Sequence, residues 1–144
     1  MLNPAARMPV DKIVFLLDVD NTLLDNDCFA ADLRARLSAA FGGAECERYW
    51  SIYERLRSER GYADYLGALQ EFRSGLDADP DLLQMSAFLL EYPFAEHVYP
   101  REHDAIAHLR TLVEVAITSD GDSVFQPRKL SRYGLGTAVD ARQV

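Results

Sequence analysis

Two carboxylates, Asp18 and Asp20, close the apolar run Ile13-Val14-Phe15-Leu16-Leu17 and open into the polar pair Asn21-Thr22. A phosphate ester can be cleaved by two such acids. One carboxylate attacks phosphorus and forms an aspartyl phosphate; the other protonates the leaving oxygen, then activates the water that hydrolyses the intermediate. Asp18 and Asp20 fit those two roles. A calcium loop would need Gly where Leu23 stands and Glu where Phe29 stands, so that use fails. A helix cap, or a receiver-like phosphoacceptor on one acid, is the competing use, although a long helical stretch after the acids does not suit a receiver. A second polar cluster, Ser119-Asp120-Gly121-Asp122, follows Leu112-Val113-Glu114-Val115-Ala116-Ile117-Thr118. A short hydroxyl with the free amides of Ser119, Asp120 and Gly121 near a helix amino terminus makes a cradle for an anion. Alone, such a stretch is more often a turn and cap.

These groups need elements to hold them. Five consecutive apolar residues, three of them β-branched or aromatic, predict a strand covered on both faces, with the acids at the carboxyl edge of an open α/β sheet. Leu112–Thr118 predicts a second strand, reached through a helix from Arg101 that turns Ile106 and Leu109 inward; strand, crossover, strand is the unit of a parallel sheet. Between the two strands the pattern is helical. Asp25, Asn26 or Asp27 caps a helix bearing Phe29, Leu33 and Leu37, stopped by Gly42-Gly43. A second helix, Ala44 to Arg60, carries Tyr49, Trp50, Ile52, Tyr53 and Leu56 and ends at Gly61. A third, Tyr62 to Arg73, sets Tyr62, Tyr65, Leu66, Leu69 and Phe72 on one side, and a fourth starts at Asp79-Pro80 and buries Leu82, Leu83, Ser86 or Ala87, and Leu90. Their aromatic stripe predicts packing first and a pocket wall second. The prolines of Tyr92–Pro100 mark a linker, placed as a hinge. A last helix spans Ser123 to Tyr133 with Gly134 as its stop, and Gly136–Val144 is a weak third strand.

The chain has 144 residues, 49% of them hydrophobic, enough for one domain with an inserted unit. Its net charge of −8, from 23 acidic against 15 basic side chains, argues against a nucleic-acid footprint or an anionic membrane surface. Met1 to Val10 lacks a signal-peptide core, and no run approaches the ~20 apolar residues of a membrane span, so a cytoplasmic protein is expected. Cys28 and Cys46 form no zinc or redox pattern and read as reduced, packed thiols; His97, His103 and His108, six and five apart, read as surface or interface histidines.

The strand with Asp18-Val19-Asp20-Asn21-Thr22, continued by Leu23-Leu24, resembles the first motif of the haloacid dehalogenase superfamily of hydrolases, an apolar strand then Asp-x-Asp-x-Thr. Ile117-Thr118-Ser119-Asp120-Gly121-Asp122 resembles the second motif, whose Thr or Ser hydroxyl binds phosphate beside a backbone amide. The resemblance implies an α/β fold, a Rossmann-like parallel sheet core from residues 1–24 and 93–144, with an all-helical cap, residues 25–92, over the site. It implies Asp18 as nucleophile, Asp20 as general acid/base, Mg²⁺ on the Asp18 carboxylate and the Asp20 carbonyl, and Ser119, alternatively Thr118, on phosphate. Dehalogenases proper lack an acid at the second position and phosphatases keep one, so Asp20 points to phosphoryl transfer, and a cap in that place implies a small, soluble substrate, here a phosphomonoester.

The chain also departs from that pattern. The family's third motif supplies a lysine and its fourth an acidic pair, each from a further strand. Lys129, the only lysine after Ser119, comes ten residues later inside the predicted helix and reads as a solvated helix residue. After Gly134 the only acid is Asp140. A truncated or split form, weak Mg²⁺ binding and a strand edge open to a second chain are the corresponding expectations. A catalytically incomplete phosphate-binding or interaction module is the alternative to the hydrolase.

Overall fold

The computed structural model describes residues 13–76 and 80–133. β1 (Val14–Asp18) pairs in parallel with β2 (Glu114–Thr118), Val14 opposite Glu114 and Asp18 opposite Thr118. Between them lie α1 (Asn26–Phe41), α2 (Gly43–Arg60), α3 (Tyr65–Phe72), α4 (Pro80–Glu91), a 3-10 turn (Phe94–His97) and the crossover helix α5 (Glu102–Leu112). α6 (Phe125–Tyr133) follows β2. The element order is the α/β arrangement expected, a small parallel sheet with an inserted helical cap.

Local chemistry explains the boundaries. Asp25 caps α1, its Oδ1 accepting from the Cys28 amide at 2.9 Å. α2 ends at Gly61, whose φ of 80° suits a residue without Cβ. α3 starts at Tyr65 rather than Tyr62, because Asp64 turns its Oδ1 onto the Gly67 amide at 2.7 Å and so fixes the first turn there. α6 starts at Phe125, since Asp122 Oδ1 accepts from the amides of Val124 and Phe125. On α4 the buried side chains are Met85 and Leu89, while Leu83 is 76% exposed, so its packed face is rotated from the one predicted. Asp79, Gly134 and the proposed strand over 136–144 lie outside the described residues.

The core centres on Phe29 of α1. Its ring lies 5.0 Å from Tyr65, 4.9 Å from Tyr92, 5.2 Å from Phe94 and 5.7 Å from Phe125, joining α1, α3, the return linker and α6. Truncating such a ring to Ala costs about 3–5 kcal/mol, so this cluster holds cap helices and core together. The linker is tied down: the Asp25 amide donates to the His97 carbonyl at 2.9 Å and the Tyr99 amide to the Leu23 carbonyl at 3.1 Å. Both chain crossings between core and cap therefore run side by side.

β1 departs from expectation. Val14, Phe15 and Leu16 are 41%, 46% and 65% exposed, so the strand is not covered on both faces. Among the described residues β2 is its sole strand partner, and it is on β2 that Val115 and Ile117 are buried.

Candidate active site

Val19 is buried completely between the two acids. Extended backbone sends alternate side chains to opposite sides, so anchoring Val19 inward turns Asp18 and Asp20 together toward the outer side. The Val19 carbonyl then accepts from the amides of Leu23 and Leu24 at 3.0 and 3.1 Å, closing the loop. Asn21 takes a left-handed φ of 56°, which asparagine tolerates, and its Oδ1 accepts from the amides of Asn26 and Asp27. The polar residues after the strand thus tie the acids to the start of α1.

Asp18 and Asp20 line one cleft of about 500 Å³. Asp120 borders it from the end of β2, Asn26 and Asp27 from α1, and Trp50, Tyr53, Tyr62 and Tyr65 form its cap wall with Arg57. The aromatic stripe thus does both things expected of it: Tyr53 and Tyr65 are buried and stacked at 4.7 Å, and the same rings face the cleft. Burial pushes both phenols above the ordinary tyrosine pKa. A second cavity, about 880 Å³ between α3 and α4, is lined by Leu66, Leu69, Leu76 and Leu82, and among the described residues its wall has no acid or histidine.

Lys129 is not a solvated helix residue. Its side chain has no exposure, and Nζ donates to Asp20 Oδ1 and, at 2.8 Å, to Asn26 Oδ1. Desolvation lowers its pKa, opposed by the negative charges of Asp20 and Asp18. The signal was present in the spacing: Lys129 stands four residues after Phe125, on the inward side of α6. A lysine with an apolar stem can lie there if its ammonium finds an acid.

At the end of β2 the residues expected to cradle phosphate have a further partner. Ser119 and Thr118 stand at the end of β2, where Thr118 pairs with Asp18, but the Ser119 hydroxyl donates to Gln126 Oε1 at 3.1 Å. Gln126 Nε2 in turn donates to the Asp120 carbonyl at 2.8 Å, and a Cβ on Gly121 would meet the Gln126 side chain at 2.4 Å. Buried Gln126 therefore packs against Gly121 and braces the loop, a role that no motif announced. Asp122 already satisfies the first amides of α6. Of the expected residues, Asp18, Asp20 and Asp120 share the cleft, while Ser119 and Gly121 engage Gln126 beside it.

A parallel strand pair presenting two acids at its carboxyl end, beneath a helical insertion, defines a capped α/β fold of the hydrolase type. Over 92% of this chain and 60% of its own, a haloacid dehalogenase-like hydrolase from Burkholderia xenovorans LB400 is similar at 52% identity and a TM-score of 0.81. At the level of fold the chain also resembles L-2-haloacid dehalogenase from Xanthobacter autotrophicus, with 21% identity over 91% of this chain and 55% of that one, TM-score 0.54. A hydrolase of the same type from Bacillus subtilis, bound to magnesium, shares 19% identity over 89% and 62%, TM-score 0.52. No family model and no curated protein sequence matches. The chain is thus similar to hydrolases of the haloacid dehalogenase-like superfamily, and it spans about 60% of the length of the Burkholderia relative.

Proposed function

We propose that this chain carries the nucleophile and acid/base of a Mg²⁺-dependent phosphomonoesterase acting on a small substrate. The observation that carries the reading is the placement of Asp18 and Asp20 on one cleft wall, with Lys129 holding one oxygen of Asp20. The Asp18 carboxylate attacks phosphorus as the ester oxygen departs, and that oxygen takes its proton from Asp20. The Asp20 carboxylate then takes a proton from water, whose oxygen attacks the aspartyl phosphate, releasing phosphate and restoring Asp18.

Among the described residues the cleft wall offers carboxylates, amides, hydroxyls and carbonyls and neither cysteine nor histidine, a donor set suited to a hard cation. Asp18 and the Asp20 carbonyl would hold Mg²⁺, with Asp120 beside them. When bound, the ion screens the repulsion between nucleophile and phosphate. Arg57 lines the cap side and makes no ion pair among the described residues, which suits an anionic group on the substrate.

Hydrolysis of p-nitrophenyl phosphate with Mg²⁺ tests the reading, with Asp18→Asn beside it. Activity lost in the folded variant is expected; retained activity would remove Asp18 from the role. The second reading is an incomplete phosphate-binding or interaction module. Turnover by the 144-residue chain alone excludes it.

A further inference from the structure

Cys28 and Asp32 stand one turn apart on α1, and His97 closes the 3-10 turn of the return linker. One ligand atom from each lies within 4.8 Å of the others. None of the three lines the catalytic cleft. We propose that they form a second metal site, for a thiophilic divalent cation such as Zn²⁺.

The ligand set is sulfur, imidazole nitrogen and carboxylate oxygen, which selects zinc-like ions over Mg²⁺. Bonds of about 2.0–2.3 Å place tetrahedral ligands about 3.5 Å apart, so roughly 1 Å of side-chain movement closes the set around an ion. Three protein ligands leave a fourth position for water.

The surroundings are organised as outer partners of a metal site are. The Tyr92 hydroxyl donates to Asp32 Oδ2 at 2.6 Å, lies 3.0 Å from His97 Nε2 and also engages the Cys28 thiol, so it touches all three groups. Its ring stacks on the imidazole at 5.1 Å and 21°, fixing the plane of His97. Such partners orient ligating carboxylates and imidazoles. Binding would turn the phenol off Nε2 and send the Cys28 thiol proton to solvent, with His97 entering neutral. The ion would clamp α1 to the linker beside the hydrogen bond from the Asp25 amide to the His97 carbonyl, at the junction of cap and core.

The test is titration of the reduced, chelator-stripped chain with Co²⁺ in excess Mg²⁺. One Co²⁺ per chain is expected, with a thiolate charge-transfer band that Zn²⁺ bleaches. Cys28→Ser should abolish the band and His97→Gln should weaken Zn²⁺ binding roughly tenfold or more, while Cys46→Ser and Asp18→Asn leave both unchanged. The last variant separates this site from the catalytic one. If Cys28→Ser fails to fold by circular dichroism, His97→Gln decides. Absence of the band in the wild-type chain, its survival in folded Cys28→Ser, or undiminished Zn²⁺ binding by His97→Gln would overturn the site.

Discussion

Replacing Lys129 with Met removes the ammonium from a side chain with no exposure while keeping most of its apolar stem. Removing one member of a buried ion pair costs about 3–5 kcal/mol, because the survivor is stranded in low dielectric. Asp20 keeps 26% of its side chain exposed, so water reaches the stranded carboxylate and the cost falls to roughly 2 kcal/mol. Relief of the lysine's own desolvation acts in the same direction. Asn26 Oδ1 also loses a donor at 2.8 Å, a smaller effect because Asn26 is half-buried and open to water. Urea unfolding should show the loss of roughly 2 kcal/mol, and the melting temperature should fall by roughly 6–8 °C. A double-variant cycle with Asp20→Asn isolates the pair, with a coupling of at least about 1 kcal/mol. In the p-nitrophenyl phosphate assay the turnover number should fall more than KM changes, since Asp20 loses the group that fixes it rather than a substrate contact. A variant within about 0.5 kcal/mol of wild type, or an additive cycle, would refute the pairing.

Burial raises the phenols of Tyr49, Tyr53 and Tyr65 above the ordinary value of 10.0. The unfolded chain therefore loses these protons first, the folded chain binds more protons above pH 10, and stability falls there by about 1.4 kcal/mol per pH unit for each phenol, with no contribution below about pH 9. Alkaline titration followed by circular dichroism and tyrosinate absorbance should show these three ionising only as the chain unfolds; their ionisation in a fully folded chain would contradict the burial. At β1, the exposed Phe15 and Leu16 should draw a second chain to the strand edge that has no partner among the described residues. Light scattering should report association that grows through micromolar concentrations and weakens in Leu16→Lys, and a clean monomer throughout counts against it.

Much of this arrangement was legible because local rules and tertiary context agreed. Phe29, Leu33 and Leu37 announced α1, Gly61 its neighbour's end, and the two apolar runs the parallel pair. What the local pattern leaves open is the surroundings that the fold supplies. Lys129 looks solvated until Asp20, 109 residues earlier, meets it. The Ser119 hydroxyl, expected beside phosphate, donates to Gln126, a partner that no motif names. The run Ile13–Leu17 reads as fully covered because composition records what a strand can bury and not what lies against it.

The charge around the cleft bears on which functional reading holds. Asp18, Asp20, Asp27, Glu54 and Asp120 all border it, against Arg57 and the Lys129 ammonium that Asp20 and Asn26 already occupy. A phosphate entering that cleft meets an excess of like charge, and the loop expected to cradle it is braced by Gln126, with Asp122 on the helix amides. A module that merely held phosphate would be poorly served by such a wall, whereas carboxylates placed to attack and to move protons require it. The same excess makes a divalent cation the natural counter-charge for nucleophile and phosphate together, so the acids that would repel a bare anion are the ones that would recruit the ion that admits it.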